Sequence, residues 1–349
     1  MVDHVKTLGP NGVSYDYTSV TAWQNDHGGS SSKDLVTNGD SVTLEFYKGD
    51  YTSVGGGVNF IDETVSITGW TVDDPNGSGT NTMTLTCPAS ERHDGTPDTG
   101  MEWRQSTANF GNLGLSSGSS AIVEFLEFGH PLLGGASRSC IAVTLGAIPI
   151  IRNCIFKGSG KGNAADGIVW SGRTSGKVDV ANCLFFDFQV AVWRSSWSFG
   201  AVRNCTFVRC TTAHEQGVNN YGTTETYNCV AYDCDEFLNP DYVNSFSTGT
   251  GYNASDNITG GSPSHTMPPD NVGSSNYASN VVAGDFEDAA NDDFHLSSGS
   301  PLIGIGFDAS SLYTNDIDGD TRTGSWDIGA DEFSGSAPAP THKPQPIWF

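Results

Sequence analysis

A short motif, Asn-Cys-x-(Phe or Ala), recurs in the middle of the chain at nearly even intervals. It occurs as Asn153-Cys154-Ile155-Phe156, Asn182-Cys183-Leu184-Phe185, Asn204-Cys205-Thr206-Phe207 and Asn228-Cys229-Val230-Ala231. Successive motifs begin 29, 22 and 24 residues apart. Periods of about 20–50 residues are the signature of solenoids and other repeat arrays. The repeat therefore predicts stacked coils, each burying its side chains against its neighbours.

The residues before each motif alternate between apolar and polar, as in Val178-Asp179-Val180. Alternation places one set of side chains inside and the other in solvent. In this register the motif cysteines stack inside the solenoid, and the aromatic residues two positions later form a second stack. We expect each motif Asn to occupy a bend, with its amide hydrogen-bonded to the coils above and below. One 29-residue step upstream, this register places Glu124 in the Asn position.

Eight cysteines are present, including a second Cys six residues after the Asn in the last two motifs (Cys210 and Cys234). Free Cys behaves as a small hydrophobe and is among the most buried residue types. The chain is far larger than scaffolds that depend on disulfides, and no CxxC pair suggests zinc. We expect internal thiols.

Glycine is abundant, with 43 residues, and Ser, Thr and Asn are plentiful, a composition typical of short strands joined by turns. We predict an all-β protein with a cap and first strands over residues 1–60, a β-helix over 61–333 and a Pro-rich tail over 334–349. The stretch 233–293 is rich in Gly, Ser, Asn and Pro, which indicates loop insertions.

The formal net charge is −24, which disfavours binding to nucleic acid and to anionic membrane surfaces. No apolar run reaches the roughly 20 residues that span a bilayer. The first residues, Met1-Val2-Asp3-His4-Val5-Lys6, do not resemble a secretory signal. These features favour synthesis in a cytoplasm without a signal peptide.

The coils resemble those of right-handed parallel β-helix (pectate-lyase-like) repeat proteins. The closing segment, residues 293–333, is similar to the ending of many bacterial and phage β-helix proteins: Asp293-Phe294-His295-Leu296, Ser300-Pro301-Leu302-Ile303-Gly304, Asp316-Ile317-Asp318-Gly319-Asp320-Thr321-Arg322 and Asp327-Ile328-Gly329-Ala330-Asp331-Glu332-Phe333. The opening, Tyr17-Thr18-Ser19-Val20-Thr21-Ala22-Trp23, resembles phage-encoded β-helix proteins. The resemblance implies a right-handed parallel β-helix, a solenoid with irregular loop insertions and an extended C-terminal tail.

β-Helices serve as polysaccharide lyases, hydrolases, adhesins and inert scaffolds, so the fold does not settle the activity. A hydrolase needs two carboxylates about 5–10 Å apart across a sugar. Candidates for catalysis are Asp166, Asp179 and Asp187, with further acids at 233, 235 and 236. Such coincidences are expected in so acidic a chain. Arg152, Arg203 and Arg209, beside the motifs, are expected to pair outside with neighbouring carboxylates.

Two weaker site hypotheses come from spacing. Asp316, Asp318 and Asp320 alternate in a Gly-containing loop and suggest part of a Ca²⁺ loop, although the position that should hold a Glu is Asp327. The resemblance instead implies a structural ending in which Asp318 or Asp320 pairs with Arg322. The residues Trp170, Trp193 and Trp197, if exposed, are candidates for stacking on sugar rings or for covering the flank of the solenoid or an oligomer contact, and the enrichment of aromatics at protein interfaces favours the second interpretation.

The tail combines a Pro-rich linker with a large apolar end, Ile347-Trp348-Phe349. We interpret these three residues as an anchor on another protein.

The sequence thus favours a non-enzymatic virion structural protein on a phage particle surface, either a capsid decoration (cement) protein or a spike. It would dock through its tail on virion proteins such as the major capsid protein, as a homotrimer or in multiple copies, and needs no cofactor. The alternative is a carbohydrate-active β-helix enzyme, such as a tailspike depolymerase, lyase or hydrolase acting on a host-surface glycan. A surface adhesin is a third possibility.

Overall fold

Short parallel strands that recur once per coil build this chain. The computed structural model describes residues 2–11, 14–26, 33–54, 56–68, 70–73, 75, 80–104, 112–116, 120–129, 138–144, 146–163, 165–171, 177–194, 199–216, 224–240, 251–256, 278–279 and 281–335. Much of the loop-rich stretch predicted after residue 233, and the tail from residue 336, lie outside the described residues. The predicted all-β, right-handed parallel β-helix is confirmed.

Most elements are strands of three to seven residues. The strands are β1 Val2–Leu8, β2 Asp40–Phe46, β3 Phe60–Asp62, β4 Val65–Ile67, β5 Met83–Thr86, β6 Glu102–Arg104, β7 Leu113–Leu115, β8 Ala121–Glu124, β9 Glu127–Gly129, β10 Arg138–Thr144, β11 Ile150–Arg152, β12 Ile155–Lys157, β13 Ala165–Ser171, β14 Lys177–Ala181, β15 Leu184–Phe186, β16 Val190–Arg194, β17 Phe199–Arg203, β18 Thr206–Val208, β19 Thr212–Gln216, β20 Thr224–Tyr227, β21 Val230–Tyr232, β22 Glu236–Pro240, β23 Ala254–Ser255, β24 Ala278–Ser279, β25 Phe286–Asp288 and β26 Asp293–Leu296. The helices are α1 Val20–Asp26 and α2 Leu35–Asn38, with 3-10 turns at Thr52–Val54, Ala283–Asp285 and Ala289–Asn291.

The strands form three parallel sheets, one on each face of the solenoid. The first sheet stacks β1-β2-β5-β8-β11-β14-β17-β20, the second β3-β6-β9-β12-β15-β18-β21-β23-β24, and the third β4-β7-β10-β13-β16-β19-β22. From β2 to β22 the chain visits the three sheets in turn, so each of these coils contributes one strand to each face. β25 and β26 form a separate antiparallel hairpin.

The interior matches the predicted register. All eight cysteines are buried and free, and the motif thiols donate to backbone carbonyls within the coils, as Cys183 Sγ does to Ala181 O at 3.1 Å. Burial raises the pKa of Cys183 and Cys229, which keeps these thiols protonated. Beside them the aromatic rings stack with centroids 5.1, 4.6 and 5.2 Å apart along Phe128, Phe156, Phe185 and Phe207. The thiols are therefore core, as expected.

Each motif Asn occupies the bend between the first and second sheets. The backbone there is left-handed, with φ of 53°, 50°, 45° and 55° at Asn153, Asn182, Asn204 and Asn228. Asn tolerates this region better than other non-Gly residues because its short polar side chain can hydrogen-bond locally. One coil earlier the bend residue is Phe125, with φ 57°, whereas Glu124 pairs in register with Arg152. The predicted placement of Glu124 at the bend was therefore wrong by one residue.

The N-terminal residues join the same stack, since β1 and β2 continue the first sheet in register with β5. Helix α1 closes the start of the interior through Trp23, whose ring stacks on Trp70 with centroids 5.2 Å apart. The Glu63 carboxylate accepts the N–H groups of Val20 and Thr21 at the start of this helix, both at 2.8 Å. In the described residues, no helix has the length and apolar character needed to cross a bilayer.

The closing segment lies along the outside of the second sheet. That sheet turns apolar side chains outward as well as inward, and the hairpin and closing segment cover them. This second core joins Ile155, Leu184, Phe186, Val208, Val230 and Ala254 of the sheet to Val281, Phe286, Phe294, Leu296, Leu302, Ile317, Ile328 and Ala330. Consequently, several strands of the second sheet are buried on both faces.

The four stacked motif asparagines, Asn153, Asn182, Asn204 and Asn228, form an Asn ladder that hydrogen-bonds to the closing segment. Asn182 Nδ2 donates to Asn315 O, and Asn153 Nδ2 donates to Asp316 O. Asn228 Nδ2 donates to Phe307 O at 2.7 Å. The prediction that the amides bond the neighbouring coils holds for Asn228, which donates to Asn204 Oδ1 at 3.2 Å. For Asn153 and Asn182 this prediction was wrong, because their amides donate to backbone carbonyls of the closing segment and not to a neighbouring coil.

Candidate functional site

The three candidate catalytic carboxylates lie on different parts of the solenoid. Asp166 is in β13 of the third sheet, Asp179 in β14 of the first, and Asp187 at the left-handed bend after β15, with φ 63°. Asp166 is buried, and burial together with the negative charge of Glu215 raises its pKa to about 7.

Arginines engage the other two carboxylates from the next coil. Arg209 holds Asp187 through Nε–Oδ1 at 2.9 Å and Nη2–Oδ2 at 3.1 Å, and Arg203 Nη1 pairs with Asp179. Arg152 similarly pairs with Glu124 of the preceding coil at 2.8 Å. The prediction that these arginines pair with neighbouring carboxylates is confirmed. Charge-assisted pairs of this kind connect adjacent coils and occupy the oxygens that a catalytic acid would use.

The tryptophans are placed unevenly. Trp170 lies in β13 and is 0% exposed, with its ring facing His214 at a centroid distance of 6.1 Å. Its interpretation as an exposed aromatic was wrong, because it occupies an inward position of the third sheet. Trp193 is half-buried in β16 and pairs in register with Val169 and Glu215. Trp197 lies outside the described residues, as do the predicted anchor residues Ile347, Trp348 and Phe349.

The alternating acids of the closing segment do not converge as a Ca²⁺ loop in the described structure. Asp316 is buried, and its carboxylate accepts the N–H groups of Asp318, Asp320 and Glu332 at 3.1, 2.8 and 3.2 Å. Asp320 is exposed, whereas Asp318 turns toward His295. Asp316 therefore organises the turn, because backbone donors already use its oxygens.

Arg322 has partners other than the predicted Asp318 or Asp320. It is buried and forms an ion pair with Glu332 at 3.1 Å. It also donates to Ala330 O at 2.6 Å and to the Asn182 amide oxygen at 3.1 Å. The predicted pairing was wrong, because the chain folds back after Gly324 and brings residues 329–332 around the guanidinium. Arg322 thus connects the end of the closing segment to Asn182 of the Asn ladder.

A different cluster forms where three parts of the closing segment meet. His295 comes from β26, Asp318 from the turn after Ile317, and Asp331 from the final stretch. One ligand-type atom from each lies within 4.8 Å of the others. His295 Nε2 is 3.1 Å from Asp318 Oδ2, and its Nδ1 is 2.5 Å from Asp293 Oδ1.

The electrostatics of this cluster are unusual. The hydrogen bond to Asp318 raises the pKa of His295 to about 10, so the imidazole is protonated at neutral pH. Burial raises the pKa of Asp331 to about 6 and that of Asp316 to about 7. Neither His295 nor Asp331 stood out in the sequence as a site residue, because they are 36 positions apart and only the fold-back joins them. The one available signal was a His at an outward position of a short alternating strand.

Comparison with known proteins adds little beyond this geometry. No protein-family model and no curated protein matches the chain. A solved structure, pectate lyase Pel9A, aligns over 95% of this chain and 96% of its own length, at 15% sequence identity and a TM-score of 0.34. The assignment of a parallel β-helix therefore rests on the strand pairing itself, and no activity passes from that enzyme to this chain.

Proposed function

We propose that this chain is a non-enzymatic structural protein displayed on the surface of a phage particle, as a capsid decoration protein or a spike. The observation that carries the proposal is that its outward charges link coils to one another. Two of the three candidate catalytic carboxylates, Asp179 and Asp187, are committed to ion pairs with Arg203 and Arg209. This arrangement favours a rigid scaffold over a catalytic groove.

The second core also supports a scaffold role. A covered second sheet removes one face from contact with substrates and stiffens the stack, because its outward apolar side chains are buried. The net charge of −24 keeps many copies on one particle from associating nonspecifically. The partner would be another virion protein, such as the major capsid protein, and the anchor would be Ile347-Trp348-Phe349.

Co-sedimentation with phage particles that lack the chain tests the proposal. The purified full-length chain should pellet with these particles, and a chain ending at residue 334 should remain in the supernatant with an unchanged circular dichroism spectrum. Trp348→Ala should weaken binding, and Trp193→Ala, which alters the solenoid face, should not. Equal pelleting of the full-length and shortened chains would exclude docking through the tail. No pelleting of either would argue against a particle protein.

A carbohydrate-active enzyme remains the second candidate, supported by one feature of the third sheet. Trp193 and Glu215 occupy paired positions on adjacent strands, and the charge of Glu215 contributes to the raised pKa of nearby Asp166. An aromatic ring beside carboxylates is an arrangement that can hold a sugar and move a proton. Cleavage of host-surface polysaccharide that is lost in Asp166→Asn, but retained in Asp320→Asn, would establish this function instead.

A further inference from the structure

The cluster formed by His295, Asp318 and Asp331 has the dimensions of a metal site. The distance of 3.1 Å from His295 Nε2 to Asp318 Oδ2 is close to the edge of a tetrahedron around Zn²⁺, about 3.3 Å for bonds of about 2.0 Å. The third oxygen, from Asp331, lies within 4.8 Å of both. This upper bound exceeds the tetrahedral edge by about 1.5 Å, so a movement of the Asp331 side chain of at most that size would bring all three atoms onto one ion.

A buried oxygen without a donor points the same way. Asp318 Oδ1 is buried and has no hydrogen-bond partner among the described residues. Asp331 is only 7% exposed, and its Oδ2 accepts the Leu296 N–H at 2.7 Å. A small cavity, lined in part by Gly95, His295 and Asp331, lies beside the cluster. A buried carboxylate oxygen is costly unless a donor or a cation satisfies it.

Glycine is required at the wall of the cluster. A Cβ at Gly95, where φ is +81°, would lie 2.2 Å from Asp318 Oδ1 and 2.4 Å from His295 Nε2. The absence of a side chain therefore leaves the nitrogen and the oxygen open to the same space.

The imidazole is oriented as in known metal centres. The Asp293 carboxylate accepts the Nδ1–H of His295, which directs Nε2 toward Asp318. Histidines that bind metals usually donate their other N–H to a carboxylate in this way. Two arginines lie near the cluster. Arg322 is already paired with Glu332, and Arg92 lies over the Phe125 ring beside Gly319.

We propose that His295 Nε2 and the carboxylates of Asp318 and Asp331 bind a divalent transition metal ion, Zn²⁺ or Mn²⁺, which staples β26, the turn at residue 318 and the end of the closing segment together. One imidazole nitrogen with two carboxylate oxygens suits these ions better than Ca²⁺, which prefers oxygen ligands throughout. Water would complete the coordination. A metal ion on Nε2 would take the place of a proton there, so binding would weaken in acid.

Titration calorimetry with Zn²⁺ on the untagged, chelator-dialysed full-length chain tests the site, together with the visible absorption of the Co²⁺ form. The wild-type chain should bind a single ion, show Co²⁺ bands and melt at a higher temperature with Zn²⁺. Asp318→Asn, which keeps the side-chain shape, should weaken binding more than about tenfold, and Asp293→Asn should weaken it about 10–100-fold. His295→Gln provides a second ligand variant in case Asp318→Asn folds poorly.

The matched control is Asp320→Asn, which removes an exposed acid from the same turn and should bind as the wild type does. Absence of a bound ion in the wild-type chain would overturn the proposal and leave an imidazolium–carboxylate network alone. Equal affinity in wild type, Asp318→Asn and His295→Gln would also overturn it, by placing the ion elsewhere. The outcome is independent of particle binding, so it stands or falls separately from the proposed function.

Discussion

At the scale of single residues, the motif Asn does two jobs at one position. Its backbone takes the left-handed bend between sheets, which costs most L-residues about 1–2 kcal/mol. Its amide then reaches the closing segment, as Asn182 does to Asn315 O and Arg322. The sequence predicts the bend, because Asn recurs once per coil. The partner is not readable from the repeat, because it lies more than 100 residues away.

Replacement of the Asn182 amide should therefore destabilise the protein. Asn182→Ala leaves an Arg322 donor and a backbone carbonyl without their partner in a buried site, and it places Ala in a left-handed conformation. We expect a loss of about 2–4 kcal/mol in the free energy of unfolding, measured by chemical denaturation. Asn291→Ala, in an exposed 3-10 turn, is the control and should change stability by less than about 0.5 kcal/mol. Equal effects would show that the ladder amides contribute little.

His295 makes stability depend on pH in a defined direction. Its pKa rises from 6.5 to about 10 on folding, so its contribution is complete below pH 6.5 and is lost as pH rises toward 10. The raised pKa of Asp331, about 6, acts with the same sign at lower pH, since ionising a buried carboxyl disfavours the fold. In chelator, stability should fall from pH 5 to pH 9, with His295 accounting for about 1–2 kcal/mol once solvent screening of this partly exposed ion pair is allowed for.

Denaturation curves across this range provide the measurement. In His295→Gln the decline between pH 7 and pH 9 should flatten, because the titrating imidazole is gone. His4→Gln, which removes an exposed His paired with Asp40, should keep the wild-type slope. A wild-type curve that rises over this interval would contradict the assigned network.

At the scale of elements, strand β15 shows why the alternation of apolar and polar residues does not predict every buried side chain. Leu184, Phe185 and Phe186 are all apolar and all buried, although a strand with one solvent face should alternate. Phe185 faces the interior, whereas Leu184 and Phe186 lie under the closing segment. An unbroken apolar run at a repeat position was the available signal that this face is covered. The covering itself was not predictable, because a local pattern does not identify the distant segment that supplies it.

A substitution in the aromatic stack tests the register that places these rings in the interior. Phe185 stacks between Phe156 and Phe207, so Phe185→Ala opens a cavity in the middle of a close-packed column. We expect a loss of about 3–5 kcal/mol in the free energy of unfolding. Phe199→Ala removes a ring that is 40% exposed at the start of β17 and should cost about 1 kcal/mol or less. Similar losses in both variants would contradict the assigned register.

At the scale of the whole molecule, the chain is a solenoid with a second hydrophobic layer bound to one flank. The inner core runs from the N-terminal cap to the last coils, and the outer core joins the second sheet to the closing segment. The repeat predicted the inner core through the spacing of Asn, Cys and Phe. The cluster of His295, Asp318 and Asp331 escaped sequence reasoning, because the spacing of Asp316, Asp318 and Asp320 indicated a local loop. Backbone N–H groups instead occupy Asp316, and the turn separates the other two.

The proposed role in display rests on the ion pairs that connect adjacent coils and on the covered second sheet. Quantitative mass spectrometry of gradient-purified phage particles, with surface biotinylation before digestion, tests that claim most directly. We expect the chain in every preparation, at a fixed ratio to the major capsid protein and with surface-exposed lysines labelled. Its absence from purified particles, with the full amount recovered as free protein, would contradict it.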